Sequence, residues 1–70
     1  RARLRGANLR GARLDRAVLR EADLSSAHLA EALLKGAILE RALLFGAKVD
    51  RADLREANLN GALFEVESQA

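Results

Sequence analysis

Alanine occupies position 2 and every fifth position from there to 62, and two places after each alanine stands leucine, replaced only by Val49 and Phe64. Thirteen consecutive units of the form A-x-L-x-x therefore cover residues 2–66. An unbroken period of this kind is settled before any local signal, because each unit repeats one piece of structure. Ala, Leu, Arg and Glu are strong helix formers. Yet five residues advance an α-helix by about 500°, which leaves each leucine about 140° around from the last. Leucines so spaced circle the helix and make no apolar face. A heptad seam fails as well, since its spacing alternates three and four.

A strand accounts for half of each unit. In A-x-L the two apolar side chains lie two apart and point to one side of an extended segment. The last two residues must then turn the chain so that the next A-x-L also faces inward. All five glycines, Gly6, Gly11, Gly36, Gly46 and Gly61, stand at the final position of a unit, where a corner favours tolerance of positive φ. Corners of about a right angle close one coil every twenty residues. Charge offers an independent check, because residues in register on stacked coils should be complementary. Arg1–Glu21, Arg3–Asp23, Asp15–Lys35, Arg20–Glu40, Glu21–Arg41 and Glu31–Arg51 are opposite in sign, and only Lys35–Arg55 is alike. At a separation of fifteen, four pairs are opposite and four alike; at twenty-five, one against five. Four sides fit better than three or five.

With this pattern on the page, the chain resembles the pentapeptide-repeat family, whose signature is A-[D/N]-L-x-x in tandem. The most orthodox units are Ala7-Asn8-Leu9, Ala22-Asp23-Leu24, Ala52-Asp53-Leu54 and Ala57-Asn58-Leu59. The resemblance implies an all-β fold, a right-handed quadrilateral parallel β-helix of about three coils, with Leu filling the interior and Ala at the tighter inward position. The solenoid is expected over residues 1–66. Residues 67–70 leave the pattern, with Glu67 where the next Ala was due, and are expected to begin a cap or linker. The chain starts inside a repeat and without an initiator Met, so it reads as an uncapped excerpt of a longer protein.

Composition narrows the function. The absence of Cys excludes disulfides and thiolate metal sites and fits a reducing compartment. No apolar run approaches the ~18 residues of a membrane span. The expected setting is the bacterial cytoplasm. One segment, Asp23-Leu24-Ser25-Ser26-Ala27-His28, gathers an acid, two hydroxyls and an imidazole. The derived geometry places Asp23 and Ser25 on one face and His28 on the next, stacked between Asn8 and Lys48. No cleft or oxyanion hole accompanies them, so neither catalysis nor a cofactor is expected. A single His and carboxylates spread over a convex surface also argue against a metal site.

Charge is unevenly spread. Residues 1–20 hold seven Arg and one Asp, a local +6, and residues 21–70 hold five Lys or Arg and nine acids, a local −4. Nucleic-acid binding through the basic first coil is disfavoured. Its arginines point every way, Arg3 and Arg5 on face one, Arg10 on face two, Arg13 on face three and Arg20 on face four, with no aromatics on which bases could stack. The family resemblance also brings DNA mimicry toward DNA gyrase, which calls for a long acidic rod; here the net charge is +2.

The departures from the repeat are more informative. The position between Ala and Leu points outward and is usually polar, but here it holds Val18, Leu33, Ile38, Leu43 and Leu63, and Phe45 also points out. Six bulky apolar residues in one neighbourhood read as a contact surface. The expected function is a non-enzymatic scaffold or protein–protein interaction module within a larger protein. Its belt would be covered by a protein partner or a neighbouring domain, and end-to-end or side-by-side self-association is open to such a rod. The alternatives are the DNA mimic and, after it, nucleic-acid binding.

Overall fold

The computed structural model describes residues 2–64. Arg1 of the Arg1–Glu21 pair and residues 65–70, with the expected end of the repeats at 67–70, lie outside them. The chain winds as a right-handed quadrilateral parallel β-helix, with no helical segment among the described residues. Its paired positions are the residues between Ala and Leu. Arg3 pairs in parallel with Asp23 and Asp23 with Leu43; Asn8 with His28 and His28 with Lys48; Arg13 with Leu33 and Leu33 with Asp53; Val18 with Ile38 and Ile38 with Asn58. Each column steps by twenty, which is the register expected of four sides. These columns define faces one to four in that order. Among the described residues the pairing lengthens into true strands only on face one, where β1 (Leu43–Leu44) lies parallel to β2 (Leu63–Phe64).

Corners follow a single rule. In every unit from Ala7 on, the Ala amide donates to the carbonyl of the Leu or Val three residues earlier, from Ala7 to Leu4 at 3.0 Å through Ala62 to Leu59 at 3.0 Å. The residue just before each Ala has positive φ, between 57° and 73° across the twelve corners. A hydrogen-bonded turn with positive φ at its third residue is the type II geometry. Only five of the twelve positions are Gly; Arg16, Glu21, Ser26, Glu31, Arg41, Arg51 and Glu56 adopt the same left-handed backbone. A side chain there costs roughly 1–2 kcal/mol, a strain the coil offsets through the ladders on either side.

The interior is as the repeat requires. Ala22, Leu24, Ala27, Leu29, Ala32, Leu34, Ala37, Leu39, Ala42 and Leu44 form one buried cluster, and the inward leucines of the first coil, Leu4, Leu9, Leu14 and Leu19, pack against it half-buried. The buried stretch from Ala22 to Leu44 has coil neighbours on both sides among the described residues, and so it is sealed. Phe64, at an inward position of the repeat, lacks the second neighbour among the described residues and is 40% exposed.

Candidate protein-interaction surface

Backbone bookkeeping explains which outward residue each unit prefers. In the unit 22–26, the Ala22 amide closes a turn on Leu19, Asp23 donates to Ala2 in the coil below, and Leu24 and Ser26 donate to Leu43 and Phe45 in the coil above. Only the fourth amide, that of Ser25, has no backbone acceptor, and the Asp23 carboxylate takes it at 3.1 Å. Asn8, Asp53 and Asn58 accept the amides of Arg10, Arg55 and Asn60 in the same way. An Asp or Asn between Ala and Leu thus completes the hydrogen bonding of its own unit, as in other Asx turns.

The belt residues forgo that bond. Where the outward position holds Val18, Leu33, Ile38 or Leu43, the fourth amide belongs to Arg20, Lys35, Glu40 or Phe45, and no acceptor for it occurs among the described residues. These side chains are also in the open: Val18 is 66% exposed, Leu63 50%, Phe45 44% and Leu33 37%, with Ile38 and Leu43 half-buried. The columns place Val18 below Ile38 on face four and Leu43 below Leu63 on the adjoining face one. Leu33, on face three, continues the band around the middle of the rod.

The Asp–Ser–His segment is not assembled as a site. Ser25 is buried to 7% exposure, not outward as its sequence position suggests, and its hydroxyl and amide hydrogen bonds hold the Asp23 carboxyl below the ordinary carboxylate range. His28 stands exposed on face two between Asn8 and Lys48. No group of three or more potential metal ligands occurs among the described residues.

Stacked charge pairs form selectively. Arg20 Nε meets Glu40 Oε1 at 2.7 Å, Arg41 approaches Glu21 at 3.7 Å, and Arg51 approaches Glu31 at 3.9 Å. Arg3–Asp23 and Asp15–Lys35 share register but form no ion pair. In the first, the carboxylate is already engaged by Ser25. The shortest pair that register could not reveal lies inside one unit, where Arg55 donates to both carboxylate oxygens of Asp53, at 2.9 and 2.7 Å.

That clamp, with the Arg55 amide, lowers the Asp53 pKa to about 2, and the Arg20 hydrogen bond lowers that of Glu40. A depressed folded value stabilises above the unfolded value and loses that contribution as pH falls through the folded one. The melting temperature is therefore expected to drop as pH falls from about 4 to about 2. Thermal melts across that window should be flatter for Asp53→Asn, because Asn58 shows that an amide oxygen still fills the backbone slot. An unchanged slope in the variant would count against the clamp.

The chain matches the family description "Pentapeptide repeats (8 copies)" over residues 1–36 and 22–61, which together span most of it. It belongs to the pentapeptide-repeat family. Among solved structures this pentapeptide-repeat chain is similar to the pentapeptide repeat protein Rfr23 from the cyanobacterium Cyanothece 51142, at 40% identity with a TM-score of 0.82, covering 83% of this chain and 40% of that one. A second is alr5209, a pentapeptide repeat protein from Nostoc Pcc 7120, at 36% identity with a TM-score of 0.41, covering 93% of this chain and 62% of that one. The chain thus spans about two fifths of the length of Rfr23. No curated protein sequence matches it. Among the described residues of this pentapeptide-repeat solenoid, no helix is long and apolar enough to cross a membrane.

Proposed function

We propose that the solenoid is a non-enzymatic interaction module of a bacterial cytoplasmic protein, binding a protein partner or a neighbouring domain through Val18, Leu33, Ile38, Leu43, Phe45 and Leu63. One observation carries this reading. Val18, Leu33, Ile38 and Leu43 each give up a hydrogen bond that an Asp or Asn would make to the fourth amide of the unit, and the belt places hydrocarbon in water besides. The units of Arg3, Arg13, His28 and Lys48 leave the same amide open among the described residues but keep a polar side chain in water; what sets the belt apart is its exposed hydrocarbon, which answers to something outside the rod. A mixed surface charge of +2 supports this reading over DNA mimicry, since a groove built for phosphates selects an acidic face.

The trade-off is measurable. Val18→Asn fills the open amide of Arg20 and is expected to raise the unfolding free energy by about 0.5–1.5 kcal/mol in urea titrations. For the interaction itself, a photoreactive phenylalanine analogue replacing Phe45 in living cells should give a discrete protein adduct, and the same analogue replacing His28 should give none. The adduct should vanish when Leu33, Ile38 and Leu43 become Ser, with the circular-dichroism spectrum unchanged. An adduct that survives those replacements, or none at all from position 45, overturns the proposal.

A further inference from the structure

Face one is divided along its length. Its outward column runs Arg3, Asp23, Leu43, Leu63, and beside it, at the fourth position of each unit, stand Arg5, Ser25 and Phe45. The charged half opens into a hollow of about 700 Å³ lined by Ala2, Arg3, Arg5, Glu21, Asp23, Arg41 and Leu43. Within it Arg41 approaches Glu21 at 3.7 Å, and Asp23 is engaged by Ser25. Arg3 and Arg5 form no ion pair among the described residues, although the Arg5 charge helps to lower the Asp23 carboxyl, so three guanidinium groups share the hollow with two carboxylates. The fourth amides of face one differ in how they are met. That of Ser25 is satisfied by Asp23, whereas those of Arg5 and Phe45 have no acceptor among the described residues.

We infer that face one binds an extended segment of another polypeptide that is apolar at one end and acidic at the other. The inference rests on the belt being an interaction surface and adds the chemistry of what it takes. Bulky apolar side chains lie on Leu43, Phe45 and Leu63, a carbonyl or carboxylate oxygen accepts the Phe45 amide, and carboxylates meet Arg3 and Arg5. Coils are spaced by about 4.8 Å, so the column from Leu63 to Arg3 is about 14 Å, the reach of four or five extended residues.

A second copy of the chain does not fit this face. In a two-fold pair the same patch meets itself. With the rods antiparallel, Arg3 opposes Leu63 and Asp23 opposes Leu43, leaving charges against hydrocarbon. With the rods parallel, Arg3 meets Arg3 and Asp23 meets Asp23. Desolvating unpaired charge is costly in either arrangement, so the polarity of the face selects a partner with the opposite order of charge and hydrocarbon.

Fluorescence anisotropy with three labelled ten-residue peptides tests this on the purified chain. All share a Leu/Phe-rich half; the second half is Glu-rich, Lys-rich or Ser-rich. The Glu-rich peptide should bind about tenfold more tightly than the Lys-rich one, with affinity falling as salt rises. Arg3→Ala with Arg5→Ala should weaken it by about tenfold and flatten the salt dependence, as expected when steering charges are lost. Phe45→Ser should remove binding, and Lys48→Ala on face two should change nothing. Circular dichroism checks the fold of each variant. Equal affinity for the Glu-rich and Lys-rich peptides, indifference to the two arginines, or no binding by any peptide overturns the inference. The crosslink from position 45 separates the two levels: if it forms while the peptides fail, the partner chemistry is wrong and the interaction surface stands; if it is absent, the surface itself fails.

Discussion

Leu29→Ala is expected to lower the unfolding free energy by about 3–5 kcal/mol, the largest loss available to a single side-chain truncation in this rod. Leu29 is 1% exposed, at the centre of the buried cluster, and belongs to the stretch sealed on both sides. Its amide donates to Lys48 in the coil above and its carbonyl accepts the Ala32 turn bond. The surrounding walls are backbone-laddered and cannot collapse inward to fill the space, so the cavity contribution adds to the lost burial. A domain of this size has only about 3–10 kcal/mol in hand at roughly 0.05–0.15 kcal/mol per residue. The variant should therefore sit close to its folding threshold at room temperature. Leu9→Ala is the comparison, since Leu9 occupies the same inward position one coil lower but is only half-buried. Its cost should be about 1–2 kcal/mol, nearer the transfer value of the atoms removed. Urea titrations of both, with unchanged slopes and different midpoints, would show the difference. Equal costs would mean that the middle coil is not the core.

Most of this architecture was legible because the repeat is so strict. Alanine and leucine at fixed offsets define an inward face, and the alternation of six opposite charge pairs against one at a separation of twenty located the register later seen in the Asn8–His28–Lys48 and Val18–Ile38–Asn58 columns. The outward belt was legible for the same reason, as a departure from a known period. Three features were not. Formal charge locates neighbours but not contacts, so Arg20–Glu40 forms while Arg3–Asp23 does not, the latter carboxylate being taken by Ser25. The burial of Ser25 depends on the coils above and below it, which no single unit reveals. The role of Asp and Asn emerges only when every amide of a unit has been given its partner in three dimensions. A spacing rule can rank residues by face; it cannot show which backbone donor is left over.

Corners carry the other large effect, and one position shows both signs. Gly at five of twelve corners suggests a corner that merely tolerates glycine, yet all twelve have positive φ. Ser26 is exposed, takes part in no ion pair among the described residues, has φ of 61°, and its amide donates to the Phe45 carbonyl at 2.8 Å. Proline is fixed near −65° and has no amide hydrogen, so Ser26→Pro can neither adopt this backbone nor keep the bond between coils. The loss should be at least about 3 kcal/mol, enough to unfold much of the population. Ser26→Gly keeps the bond and removes the left-handed strain of a side chain, a gain of roughly 1–2 kcal/mol that the greater freedom of the unfolded glycine chain partly offsets. A net increase of about 0.5 kcal/mol remains, a rise of roughly 2–4 °C in melting temperature for a chain of this length. Thermal melts of the three proteins should therefore rank Gly above Ser and Ser far above Pro. A glycine variant less stable than the parent by more than about 1 kcal/mol would show that the Ser26 side chain, and not the turn, holds that corner.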